Sequence, residues 1–424
     1  MSLETGNSSQ LSMYLRETFS ALRHRNYRLF FGAQAISLVG TWMHGAAMSW
    51  LLYSITDSKM MLGSINALGM LPMLLLTPFA GVMADHLPRQ RIVLTAQLLS
   101  MVFVIILASV VAANMVLVWH LAVFALCMGV LRAVDIPARH AMVIHLVDRR
   151  DLRNAVALNS SMFNLARMLG PAVAGILMAR LGIASCFYIN GLSFLPVILV
   201  LSTLRLQDGT NTRNDIRYAG IRDSLKGPVR FLTENPQLIV LLVMMSVFVI
   251  SVGSYVILMP VFARDVFQLS ESGYGYMLSI NGVGALAGAL TVAALSRRVR
   301  MLPMMVAGIL LSSLAILLFT YTATLFLATV FIALAATGLI LFLSNGNAAF
   351  QTYAPDHLRG RLMSLWVWML GGAMPLGSLY MGVASEQFGA HFALRLGVAV
   401  TVVALVIAYA ILRRLRDSGS ISGV

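Results

Sequence analysis

Residues 61–80 and 92–113 contain no charged side chain, and runs of this kind recur to the end of the chain. A run of about 20 apolar residues matches a hydrocarbon layer about 30 Å thick at 1.5 Å per helical residue. Lipid offers no water to unpaired backbone groups, so a spanning chain forms helices or a closed barrel. These runs are continuous rather than alternating, which excludes the barrel and predicts an all-α, multi-pass membrane protein. Composition agrees. Of 424 residues, 59% are hydrophobic and 11% charged, against about 25% charged in a soluble domain.

Twelve spans are read, at 29–54, 61–84, 92–113, 116–136, 154–179, 183–204, 237–262, 273–295, 302–321, 324–349, 362–385 and 390–412. The implied organisation is a tail (1–28), a six-helix bundle (29–204), a polar linker (205–236), a second six-helix bundle (237–413) and a tail (414–424). The first span exceeds a secretory signal in length, which predicts an uncleaved helix. Within the linker, Ile216, Ala219, Leu225, Val229 and Leu232 recur at loosely helical spacing among basic residues. That pattern predicts an amphipathic helix on a membrane surface, with a solvated basic linker as the simpler alternative.

The net charge of +14 raises nucleic acid as a partner, and position removes it. Of 30 Lys and Arg, 24 fall in the two tails, the linker and alternate loops. Four fall on the other side and two, Arg132 and Arg167, within spans. That asymmetry is the positive-inside pattern and places both termini and the linker in the cytoplasm, in a bacterial-type inner membrane. Cys127 and Cys186 lie in spans at spacings that imply neither disulfide nor metal site. His140 and His145 have the wrong spacing for a one-face ligand pair. No metalloprotease, nucleophile-elbow or phosphate-loop sequence is present, so neither an enzyme nor an ATP-driven pump is expected, and no cofactor.

The halves repeat. "RRDLRNAVALN" (149–159) and "DHLRGRLMSLW" (356–366) align at an offset of 206, and "GILMARLG" (175–182) and "GVASEQFG" (382–389) at 207. Two matches near half the chain length indicate a duplicated six-helix unit. Parallel six-span repeats are a transporter architecture with the site between the halves near the midplane.

One cluster interrupts the apolar pattern: "GVMADHLPRQR" (81–91), between the second and third spans. Gly81 permits close packing and Pro88 a turn. Asp85 lies at the membrane boundary, where an unpaired carboxylate is costly. Its partners are the N-terminal end of the eleventh helix and Arg89, which can in turn reach Asp135. Such a relay, with Arg91 and Arg139 beside it, would latch the two halves on the cytoplasmic side. The simpler alternative makes the arginines positive-inside anchors. In the fifth span Ala166, Gly170 and Ala174 recur every four residues, a groove for close helix approach, and Pro171 removes a backbone donor.

The spacing Gly81-x-x-x-Asp85-x-x-x-Arg89-x-Arg91 resembles the signature loop of the major facilitator superfamily, with His86, Pro88 and Gln90 departing from its pattern. "NYRLFFGAQAISLVGTWM" (26–43), "VDIPARHAMV" (134–143), "LNSSMFNLARMLGPAVAG" (158–175) and "APDHLRGRLMSL" (354–365) resemble the subgroup containing the enterobactin exporter and macrolide efflux proteins. The resemblance spans roughly 16–413. It implies a major facilitator fold and an outward-open state stabilised by the latch. Gly170-Pro171-x-x-Ala174-Gly175, with Ala157 and Ala166 upstream, resembles the antiporter motif, which implies export driven by a proton gradient.

Gln34, Ser37, Thr41 and His44 form a polar stripe on the first span. With Asn164, Arg167, Tyr255, Asn281 and Asn347 they are the candidates for the substrate or proton pathway. Each alternatively satisfies an interhelical hydrogen bond. A charge mid-span, Arg167 either binds an anionic substrate group or pairs with a neighbouring helix. The expected function is export of an amphipathic small molecule, such as a siderophore or macrolide-like drug, by a protein embedded in lipid and monomeric. Nutrient import and a non-transporting sensor or scaffold are the alternatives.

Overall fold

The computed structural model describes residues 19–86, 88–148, 150–204, 221–296, 298–356 and 358–417, with the backbone alone over 77–86 and 221–226. Every regular element among them is helical. In order they are α1 (Arg25–Thr56), α2 (Lys59–His86), α3 (Arg89–Ala112), α4 (Val118–Val143), α5 (Leu152–Leu181) and α6 (Ile183–Thr203). After a connecting helix (Ile221–Glu234) come α7 (Pro236–Val266), α8 (Glu271–Leu295), α9 (Met301–Phe319), α10 (Leu325–Tyr353), α11 (Arg359–Phe388) and α12 (Ala390–Asp417).

Eleven helices among the described residues are long and apolar enough to span a membrane, and α1 is not one of them. Its 32 residues suffice in length. The stripe from Gln34 to His44 makes it too polar, yet it packs inside the first group against α5 and α6. Burial shelters that polarity from lipid. Large apolar side chains such as Leu75, Ile106, Leu290 and Val403 point outward instead.

Local sequence sets the irregularities. Pro196, lacking an N–H, breaks α6 at Phe194 into two segments. Between Val249 and Val266, α7 alternates wide π turns with tight 3-10 turns around Gly253 and Pro260. The 14-residue connecting helix is far more one-sided in hydrophobicity than any of the twelve. Leu232 is buried, and Gly227 approaches Leu358 of the second group. The expected start of this helix at Ile216 lies outside the described residues.

The duplication is visible in the helices themselves. Both α5 and α11 are 30 residues long, and each ends on a glycine in the left-handed region, Gly182 at φ 79° and Gly389 at φ 88°. A side chain is disfavoured there, so the repeated Gly-to-Gly interval is a shared helix stop. The two groups then meet through equivalent pairs, α5 with α8 and α11 with α2. Helices alternate in direction, so one face carries Arg25, Arg89, Arg359 and Asp417. It is called the basic face below, and the other the far face.

On the basic face a 3-10 turn, Ser20–Arg23, docks at the start of α5. Ser20 Oγ donates to Asp151 Oδ1 at 2.6 Å, His24 Nε2 lies 2.8 Å from Asp151 Oδ2, and Ala21 N–H donates to Asn154 Oδ1 at 3.0 Å. The Ser20 hydroxyl first, then the His24 ring and the Arg23 charge, hold the Asp151 carboxyl below its usual range. A depressed acid stabilises the fold above its unfolded pKa and loses that contribution as pH falls through the folded value. Acidification through the carboxylate range is therefore expected to undock residues 19–24. The readout is a falling amide protection factor at Ala21, and Asp151→Asn should lower that protection already at neutral pH and flatten the acid transition.

Candidate functional site

The two groups are joined at the far face by charge and hydrogen bonds. Glu386 of α11 caps α2: its Oε2 accepts from the backbone N–H groups of Lys59 at 2.7 Å and Met60 at 3.1 Å, and from Ser58 Oγ at 3.3 Å. These N–H groups are unpaired at any helix start, and a carboxylate is favoured there by the helix dipole. Arg264 of α7 pairs with Asp57 Oδ1 at 3.2 Å, donates to Tyr53 O at 3.3 Å and lies over the Tyr53 ring. The Tyr53 hydroxyl donates to Asp265. Beneath them Trp50 stacks on Tyr274 with ring centroids 5.2 Å apart.

Close backbone packing seals the same face. A Cβ on Gly275 of α8 would stand 2.7 Å from Gly175 Cα and 2.5 Å from Pro171 O, both on α5. One on Gly382 of α11 would stand 2.9 Å from Gly63 Cα on α2. The antiporter-like segment thus packs on two helices at once. Gly170 faces α1, where a Cβ would lie 2.9 Å from Met43 N, and Gly175 faces α8. Ala166 and Ala174 are buried between them, whereas Ala157 is exposed.

At mid-depth the sequence candidates Arg167, Asn281 and Tyr255 come together across the interface. Arg167 Nη2 of α5 donates to Asn281 Oδ1 of α8 at 3.3 Å, and Asn281 Nδ2 donates to the Tyr255 hydroxyl of α7. Asn281 and Tyr255 are buried, and Arg167 is half-buried. Tyr255 follows the first π turn of α7, which re-aims the helix face toward α8; such bulges are frequent at functional sites. Asn164, one turn before Arg167, is half-buried with its amide on Ser160 O. A separate apolar cavity of about 480 Å³ is walled by α2, α7 and α11, with Ala67, Leu71, Ile250, Trp368, Gly372 and Leu376 among its lining.

Among the described residues, the hydrogen bonds, ion pairs and close glycine approaches between the two groups all lie from mid-depth to the far face. Arg132 of α4 is exposed. The expected relay from Arg89 to Asp135 is not made here. Arg89 instead meets His145 Nε2 at 2.6 Å. Buried Asp135 takes its own neighbour Arg139, one turn on, and Gln97 at 3.3 Å. A carboxylate in lipid takes the partner already in reach on its own helix. The Gly81 and Asp85 side chains lie outside the described residues, and Arg91 is exposed. Gln90 spans to the end of α6, where its amide reaches Leu204 O at 2.7 Å.

The polar stripe of α1 turns into the first group. Gln34, Ser37 and His44 are buried, with the His44 ring between Phe124 and Phe187 at 5.0 and 4.9 Å. Thr41 returns its hydroxyl to Ser37 O. In this conformation those three are enclosed within the first group. Asn347 of α10 accepts from Gln351 at 2.7 Å near the basic face, apart from Arg167.

Sequence reasoning missed Tyr53, Asp57, Arg264 and Asp265 as a group. The signal was in the repeat, since the 207-residue offset that equates Gly182 with Gly389 also equates Asp57 with Arg264. Equivalent positions near a pseudo-two-fold axis face one another, and these two carry opposite charge.

A family model described as transmembrane secretion effector matches residues 16–422. The staphyloferrin A transporter of Staphylococcus aureus is 24% identical, over 85% of this chain and 90% of that protein. The multidrug efflux pump Tap of Mycolicibacterium fortuitum is 28% identical, over 88% of this chain and 91% of its own. A bacterial homolog of the human lysosomal transporter Spinster, solved in an inward-facing and unoccupied conformation, superposes with a TM-score of 0.71. That match is at 15% identity over 91% of this chain and 96% of the other, and it shows a shared fold.

Proposed function

The chain belongs to the transmembrane secretion effectors of the major facilitator superfamily, multi-pass membrane transporters and not enzymes, and on that premise we propose a proton-driven exporter of an amphipathic small molecule. The observation that carries this reading is one-sided: among the described residues, the contacts that join the groups run from the far face to Arg167 at mid-depth. The concentration of 24 basic residues on one side supports a cytoplasmic basic face, so a pathway held shut at the far face would receive substrate from inside the cell. Rocking of the groups about mid-depth would open the far face and close the basic one. The latch of Asp85, Arg89 and Asp135 belongs to that second state, and Arg89 and Asp135 here hold other partners.

No described Asp or Glu lies at mid-depth. The carboxylates that join the groups, Asp57, Asp265 and Glu386, stand at the far face, where a proton arriving from outside meets them first. Proton binding there would weaken the far-face contacts, coupling inward proton movement to outward release. Siderophores and macrolide-like drugs are the substrate classes suggested by the relatives' names. We place the chain as a monomer in the bacterial inner membrane with both termini inside.

The test compares spent medium of cells with and without the protein, then follows the enriched compound into everted vesicles. Accumulation should appear only when the vesicle interior is made acidic. Accumulation driven by the opposite gradient would make the protein an importer. Orientation is checked separately with a cysteine at position 215, expected to resist labelling from outside intact cells; ready labelling there would invert the topology.

A further inference from the structure

Arg167 carries a charge that its surroundings leave unanswered. Its hydrogen bond to the neutral Asn281 uses one of five guanidinium N–H donors. Among the described residues no carboxylate pairs with it. A cation withdrawn from water normally acquires an anionic partner or is costly. Asn281 and Tyr255 do not neutralise it. They hold it, one hydrogen bond behind the other, so the guanidinium is aimed before anything binds.

The apolar cavity supplies the second half of a site. Ile250, on its wall, precedes Tyr255 by five residues on α7, a separation of about 7 Å along a helix. Trp368 and Leu376 of α11 and Leu71 of α2 form the facing walls. A volume of about 480 Å³ falls within the roughly 300–1,000 Å³ of small-molecule pockets. Tyr255, tied to Arg167 through Asn281, thus lies within two turns of the cavity wall along α7, and a fixed cation joined in this way to an apolar cavity has the polarity of an organic anion with a greasy body.

We infer that the pathway binds an amphipathic organic anion, its carboxylate or similar head on Arg167 and its apolar body against α2, α7 and α11. This assignment rests on the transport reading above and names its substrate class. Asn281 and Tyr255 are positioning residues, and Arg167 makes the contact.

The protein in lipid nanodiscs is titrated with dansylglycine, an anion with an apolar body, and with its neutral amide. The anion should bind at least about tenfold more tightly, the scale of one charge-assisted hydrogen bond. Arg167→Gln should bring the two within about twofold, and Arg167→Lys should keep part of the preference because charge survives without the planar fork. Gly372→Leu fills the cavity, since a Cβ there meets only Leu74, at 3.4 Å and beyond. It should weaken both probes while preserving their ratio. Equal binding of the two probes to the wild type overturns the assignment without reference to any variant, as does a ratio unchanged by Arg167→Gln or affinities unchanged by Gly372→Leu. Anion preference intact in a protein that moves nothing in everted vesicles overturns the export reading instead.

Discussion

Tyr53→Phe combined with Glu386→Gln is expected to slow transport by roughly thirtyfold while leaving the protein folded. Glu386 accepts two backbone N–H groups and a hydroxyl from the start of α2, and Tyr53 donates to Asp265 of the other group. Each contact bridges the groups on the far face only. At partly exposed sites such hydrogen bonds contribute about 1 kcal/mol each. Losing about 2 kcal/mol from one of two states shifts their ratio roughly thirtyfold, and a cycle that must visit both slows accordingly. Neither change touches the contacts within a group, so thermal unfolding should move little. A companion test uses the Asp57–Arg264 pair. Arg264→Glu places a carboxylate against Asp57 and Asp265 and should reproduce the defect, and adding Asp57→Lys should restore part of the rate. Transport within twofold of wild type in all of these would show that the contacts do not hold the far face.

Gly275→Ala is expected to be as damaging with a single carbon. Its Cβ would sit 2.7 Å from Gly175 Cα and 2.5 Å from Pro171 O, backbone atoms that cannot rotate away. Overpacking of this kind costs about 1–3 kcal/mol, and here the cost falls on the closed far face alone. The groups should separate there, and transport should fall by about tenfold or more. Gly45→Ala is the control, since nothing lies within 4 Å of a Cβ at that position. It should leave transport within about twofold, as surface substitutions do. Equal effects at the two positions would show that helix propensity matters here and close approach does not.

Much of this was legible in the sequence because membranes simplify the code. Uncharged runs located the spans, and the Gly-to-Gly interval at 175–182 and 382–389 exposed the duplication through two helix stops. The every-fourth-residue pattern at Ala166, Gly170 and Ala174 marked a surface that does pack closely on α1. Arg167, Tyr255 and Asn281 were each legible as polar residues in apolar helices. That they form one chain was not, because the π and 3-10 turns of α7 reset which face Tyr255 presents. The hydropathy of α1 is low for a related reason, since its polar stripe answers to α4 and α6 rather than to lipid. Arg89 and Asp135 were expected to meet at the cytoplasmic ends of their helices, and here each holds another partner. Spacing along a chain carries no information about which of two states brings partners together.

Distances between spin labels test the two-state account most directly. One pair, at 153 and 360, spans the basic face on exposed positions of the two groups. The other, at 115 and 323, spans the far face. Cys127 and Cys186 are replaced beforehand, and the wild-type background is compared with Tyr53→Phe/Glu386→Gln. Breaking the far-face contacts should lengthen the 115–323 distance and shorten the 153–360 distance together, with both populations present in each sample. A far-face distance that lengthens while the basic-face distance stays fixed, or distributions that do not respond at all, would contradict alternating access by rocking of the two groups.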